Sequence, residues 1–173
     1  MDSDAQRIRV EALGQPGQRR FRLLVIMEGE TWIAWMEKQQ VQALGLALEQ
    51  MLEQIPESGL ALGSFPITEF DTETRRQFRV GRMELGYDDR NDRLVIIAHD
   101  INETDEEAEA ALTCRLTREQ ASELSADSAS VVAAGRPRCT MCGAPMGPGP
   151  HACPQQNGHF PRYLADLSSD EEE

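Results

Sequence analysis

Four side chains near the C-terminus have the types and the spacing to hold one metal ion: Cys139, Cys142, His151 and Cys153, in the order Cys-x2-Cys-x8-His-x-Cys. Two cysteines separated by two residues bend back around a single ion, and Gly143 after the second removes a side chain where amides turn toward sulfur. The Pro and Gly residues that follow form a stiff, helix-forbidding loop, which returns His151 and Cys153 to the same point. Three thiolates and an imidazole satisfy tetrahedral zinc, with sulfur at about 2.3 Å and nitrogen at about 2.0 Å. A closed set of four leaves no position for water, so the expected zinc is structural rather than catalytic. It would replace the hydrophobic core that a Pro- and Gly-rich segment cannot build. On the residues alone, buried reduced thiols and a redox dithiol stay open as alternatives. A redox Cys-x-x-Cys pair normally opens a helix, whose dipole lowers the thiol pKa, whereas Pro145, Gly147 and Pro148 exclude a regular helix here. His159 is a substitute imidazole if His151 does not ligate. Cys114 alternates with Leu112 and Leu116 and is expected to be a buried strand residue.

A second group of side chains suits anions. Basic residues number 17, and all but Lys38 are arginine. Arg19, Arg20 and Arg22 follow a turn at 14–17, and with Arg79 and Arg82 they would line an anion pocket if two hairpins lay side by side. Guanidinium groups fit phosphate or carboxylate bidentately, although solvated strand faces and GC-rich coding explain the same bias. His99-Asp100 invites a catalytic reading, but no serine motif of the Gly-x-Ser-x-Gly kind accompanies it. The sequence contains neither a phosphate loop nor a dinucleotide fingerprint.

Charge and length bound the rest. A formal charge of −13 on 173 residues disfavours nucleic acid and anionic membranes, both of which depend on a basic field. The final eight residues, DLSSDEEE, carry five acids, and setting them aside moves the charge from −13 to −8. Residues 163–173 read as an acidic, disordered tail. The longest uncharged apolar run, 23–27, is far short of the ~20 residues that cross a bilayer, and the first residues lack a signal peptide's apolar stretch. The expectation is a cytoplasmic protein with no membrane span. Crowded cysteines in such a reducing compartment favour metal over disulfide.

These candidate sites need a scaffold. Residues 7–13 alternate polar and apolar, the period of a strand with one wet face; a turn at 14–18 leads to a strand over 20–27, and a turn at 28–30 to another over 31–36. Val41, Leu44, Leu48, Met51, Leu52 and Ile55 then recur at spacings of three and four, which predicts a helix over 39–54, stopped by Pro56. Residues 56–76 read as a long connection with a short helical turn near 69–75. Strands follow near 78–85, with a bulge at Gly81, at 94–98 and at 111–116, with a tight turn at 88–92. Thr117, Glu119 and Gln120 form a cap for a second helix from 118 to about 126, with a weaker continuation. Each half thus reads as βββα, and Glu37-Lys38-Gln39-Gln40 rhymes with Thr117-Arg118-Glu119-Gln120. The expected architecture is α+β: antiparallel sheet from two βββα-like halves (1–135), a zinc knuckle (136–162) and the tail.

Several blocks in order, Gly14-Gln15-Pro16-Gly17 with Arg19, Arg20 and Phe21, then Glu37-Lys38-Gln39-Gln40-Val41, Phe78-Arg79-Val80-Gly81, Leu85-Gly86-Tyr87-Asp88, Ala134-Gly135-Arg136-Pro137 and the Cys/His cluster, make the chain resemble the uncharacterised bacterial family DUF3090. The resemblance implies no activity. The function expected is a non-enzymatic binding or scaffold module whose zinc knuckle fixes the C-terminal segment for a protein partner. The alternative is an enzyme or binding protein for a phosphorylated small molecule, with Arg19, Arg20, Arg79 and Arg82 holding the anion. Recognition of nucleic acid is the least expected, since its usual basic footprint is missing.

Overall fold

The computed structural model describes residues 2–56, 68–105, 107–134, 138–144, 146–147 and 150–155. Seven strands, β1 (Asp2–Asp4), β2 (Arg7–Leu13), β3 (Arg20–Met27), β4 (Glu30–Met36), β5 (Gln77–Asp88), β6 (Arg93–Asp100) and β7 (Leu112–Leu116), are joined with two helices, α1 (Lys38–Gln54) and α2 (Arg118–Ala134). They form one mixed sheet in the order β1-β7-β6-β5-β4-β3-β2, an α+β architecture.

The helical stripe read from residue spacing is the one that packs. Val41, Leu44 and Leu48 of α1 are buried, and Met51, Leu52 and Ile55 pack at the margin of the core; each fully buried aliphatic side chain contributes about 2 kcal/mol. Ala121 and Leu124 of α2 enter the same core. The two helices approach closely because Gly45 faces Ser128, where a β-carbon on residue 45 would lie 2.9 Å from the Ser128 β-carbon. Ser125 Oγ donates to the Gly45 carbonyl at 2.8 Å across that contact. The second helix runs to Ala134, well past the expected end, because Val131 and Val132 pack against the core.

Within each half the strands pair antiparallel, as expected, while the two junctions between halves are parallel. Trp35 of β4 stands beside Arg79 of β5, and Arg115 of β7 beside Asp4 of β1. The first parallel junction follows from topology: a helix intervenes between β4 and β5, and such a crossover returns the chain in the same direction. The second was not legible, because Asp2-Ser3-Asp4 has no apolar pattern. One chain segment bridges the two ends of the sheet: the Ala5 amide donates to Arg115 O and the Gln6 amide to Ile26 O, both at 2.8 Å.

The halves repeat in detail. Gln40 receives the Glu37 amide on its Oε1 at 2.8 Å, and Gln120 receives the Thr117 amide at 3.0 Å, a capping box at each helix start. The free end of each glutamine then reaches a backbone carbonyl of the opposite half, in β5 for one and just after β1 for the other. Gln40 Nε2 donates to Val80 O at 3.1 Å, and Gln120 Nε2 donates to Ala5 O at 2.8 Å.

Turns follow residue chemistry. Glu28 and Gly29, with φ of 51° and 80°, form the two-residue link between β3 and β4, the mirror-type turn that matches strand twist. At Gly81 the β5 register shifts between Val80 and Arg82; a β-carbon there would lie 2.7 Å from the Ile101 α-carbon, which explains glycine at the bulge. Residues 68–76 form turns rather than the short helix expected near 69–75, with the Asp71 amide donating to Thr31 Oγ1 at 2.9 Å.

In the β5–β6 turn the Asp88 carboxylate accepts from Asn91 Nδ2 at 2.7 Å and from the Arg90 amide at 3.1 Å. The Asn91 side chain and these amides hold its pKa below the ordinary 3.8. A depressed carboxylate contributes stability above its unfolded pKa and loses it as pH falls through the folded value. Backbone resonances of residues 88–92 are therefore expected to shift below pH 3.8, and Asp88→Asn is expected to remove that acid transition; an unchanged transition would place its origin elsewhere.

Candidate metal centre and basic pocket

The C-terminal cluster is built as a turn around sulfur. Gly143, at φ 70°, allows its own amide to donate to Cys139 O at 2.8 Å, while the Cys139 amide donates to Ala144 O at 2.8 Å. This tight loop turns other amides inward. Those of Cys142 and Met141 donate to the Cys139 sulfur and, with further help from Cys142 and Cys153, bring its pKa down to about 6. The Ala144 amide favours the thiolate of Cys142, but burial and the neighbouring sulfurs of Cys139 and Cys153 outweigh it and push that thiol up. Crowded thiolates that repel one another in this way are stabilised together by a cation.

The remaining two donors complete the set. Cys139 and Cys153 are buried with sulfurs 3.8 Å apart, and Cys142 Sγ lies 3.3 Å from His151 Nε2. All four donor atoms fall within 4.8 Å of one another, so the structure gathers the four residues singled out by spacing and they could hold a metal ion. The main hydrophobic core draws on residues between Ala5 and Val132 and includes none of them. Cys114 is fully buried in β7, as expected of a strand residue. His159 and the acidic tail lie outside the described residues, as do Arg136, Pro137 and 156–162 of the expected knuckle segment.

Of the four arginines expected to hold an anion, three converge. Arg19, Arg20 and Arg79 line one cavity of about 310 Å³ with Phe21, Trp35, Met36 and Glu37. Trp35 positions the guanidinium groups: Arg79 is its cross-strand neighbour, and the Arg20 guanidinium stacks 4.2 Å from its ring. Glu37, the cap of α1, pairs with Arg79 at 2.7 Å. The Arg22 guanidinium also lies over the Trp35 ring, at 5.6 Å, but it is paired with Glu11, whose Oε1 lies 2.6 Å from its Nε, and it does not line the cavity.

Arg82 is not part of that cavity. It lines a separate one of about 180 Å³ with His99 and Asp100, where its Nη2 sits 3.2 Å from His99 Nε2 and its Nε 3.2 Å from Glu84. The physical reason is position along the strand: the β4–β5 pairing ends at Trp35 and Arg79, and Arg82 stands beyond it, beside β6, where His99 and Glu84 hold its guanidinium. Sequence reasoning placed Glu37 just ahead of the first helix and Trp35 in a strand, and missed that both line the arginine cavity. A Trp two residues ahead of a helix cap, on a strand paired with an Arg-rich one, was the available signal.

A mixed sheet with a paired helix layer, carrying a Cys3His cluster at its C-terminal side, defines an α+β protein with a candidate metal-binding site. The family model described as "Protein of unknown function (DUF3090)" matches residues 3–153, and the chain belongs to that family. The matched span takes in all four Cys/His donors and the arginine cavity. No curated protein and no solved structure gives a significant match. No helix among the described residues is long and apolar enough to cross a membrane.

Proposed function

We propose that the protein is a cytoplasmic binding module whose C-terminal segment is folded by one structural zinc ion and presented to a protein partner. The observation that carries this reading is the convergence of three thiols and an imidazole within 4.8 Å. The donor set fits zinc: sulfurs on two corners of a tetrahedron with bonds of about 2.3 Å stand about 3.8 Å apart, which is the separation of Cys139 and Cys153. Thiolate-rich donors with one imidazole suit zinc over the harder divalent ions. The ion would supply charge neutralisation and cross-linking, and four protein donors leave no position for a reacting water. Thiols must stay reduced to serve as ligands, hence the reducing compartment.

Metal analysis of purified protein is expected to give about one zinc per chain, by four-coordinate stoichiometry. Replacement by cobalt(II) is expected to produce the intense thiolate charge-transfer bands of a tetrahedral sulfur site. Protein purified metal-free whose segment beyond Ala134 resists proteolysis as well as the zinc-loaded form, or cobalt bands of octahedral type, would sink this assignment.

A further inference from the structure

The repeat of the fold supplies an internal control for the arginine cavity. The parallel junction that sets Arg79 beside Trp35 recurs as the junction that sets Asp4 beside Arg115. Registers on the antiparallel side agree: Phe21 pairs with Met36 just ahead of one cap, and Leu94 pairs with Leu116 just ahead of the other. Arg19 and Arg20 therefore correspond to Asp92 and Arg93, and Arg79 corresponds to Asp4.

At the second junction the charges are settled internally. Asp4 lies 4.0 Å from Arg93 and 3.5 Å from Arg115, and Asp92 binds Arg118 at 2.7 Å. At the first junction two of those carboxylates are replaced by guanidinium groups, so three arginines face the single carboxylate of Glu37. The Arg19 Nε is buried with no hydrogen-bond partner among the described residues, a donor that a ligand oxygen would satisfy. Arg20, flat against Trp35, keeps its in-plane N–H groups for an oxyanion. The positive end of the α1 dipole opens beside Glu37 and adds to the same field.

We propose that Arg19, Arg20 and Arg79 form a binding site for the phosphate group of a small soluble phosphate ester, one site per chain, at the first of the two junctions. A dianionic phosphate matches the excess of two positive charges over Glu37, and its three oxygens match three guanidinium donors. The cavity, at about 310 Å³, admits the ester's organic part. The site is separate from the metal centre, so either assignment stands or falls without the other.

Titration calorimetry at fixed ionic strength tests it, with inorganic phosphate and phenyl phosphate as soluble probes and vesicles containing phosphatidic acid as the lipid-borne form. Saturable one-to-one binding of the soluble probes is expected, and Arg20→Ala and Arg79→Ala are each expected to weaken it by about tenfold to hundredfold. Both side chains are exposed, so circular dichroism melts are expected to show folded variants. Arg93→Ala, the counterpart of Arg20, and Arg82→Ala are expected to leave affinity unchanged. The proposal is overturned by no saturable heat up to about 10 mM probe, by equal losses in the Arg93 or Arg82 variants, or by binding to the vesicles alone.

Discussion

Cys142→Ser is expected to release the metal while leaving the sheet folded. Structural zinc in small Cys/His sites carries apparent binding energies of about 10–16 kcal/mol, so loss of one of four donors removes about 3 kcal/mol and lowers affinity by at least about a hundredfold. The main core contains none of the four ligands. Its melting temperature is therefore expected to move little, whereas limited proteolysis is expected to cut beyond Ala134, where α2 ends. Competition with a chromogenic chelator reads the affinity, and mass spectrometry of the digest reads the cut sites. Unchanged zinc retention in this variant, with Cys139→Ser equally silent, contradicts the four-donor site.

The second large effect lies at the β5–β6 turn. Asp92, 8% exposed, accepts from the Tyr87 hydroxyl at 2.7 Å and from Arg118 Nε at 2.8 and 3.0 Å to its two oxygens. This fork joins β5, the turn and the first residue of α2. Removing one partner leaves the other partly buried and unpaired, which costs about 3 kcal/mol. For a chain of this size that corresponds to a fall in Tm of roughly 6–12 °C. Asp92→Asn is the informative change, because Asp92 has φ 52° and Asn tolerates that conformation where Ala does not. A loss below about 1 kcal/mol would show the fork to be dispensable.

The same variant has a spectroscopic signature. The Tyr87 pKa is raised above 10.0, first by the hydrogen bond to Asp92 and then by burial and the Asp92 charge, against an opposing effect of Arg118. A raised folded pKa means that the stabilisation is full below the unfolded value and is lost as pH climbs through the folded one. Alkaline titration followed by tyrosinate absorbance is expected to show one late-titrating tyrosine in the native protein, and its shift toward the ordinary value in Asp92→Asn.

Much of this scaffold was readable from residue types. The stripe Val41, Leu44, Leu48 located α1 to within a residue of its start, and the Thr117 cap located the start of α2, because periodicity and capping are local chemistry. The Cys-x2-Cys and His-x-Cys spacings identified the Cys/His cluster for the same reason. What escaped was non-local. The parallel edge strand Asp2–Asp4 carries no apolar signal; and although Arg19, Arg20, Arg79 and Arg82 were expected to gather if two hairpins lay side by side, which of them do so depends on a register between β4 and β5 that no short window contains. The long connection could not be checked at 57–67, outside the described residues.

The bridging segment at Ala5 and Gln6 bears on how the molecule is made. During synthesis the N-terminal residues emerge first, yet Asp2 finds its partner Thr113 only after nearly the whole sheet has been translated. Pairings of such wide sequence separation form late and slowly. The first strand therefore waits for the last one, and its pairing with β7 is the step that joins the two halves along that edge of the sheet.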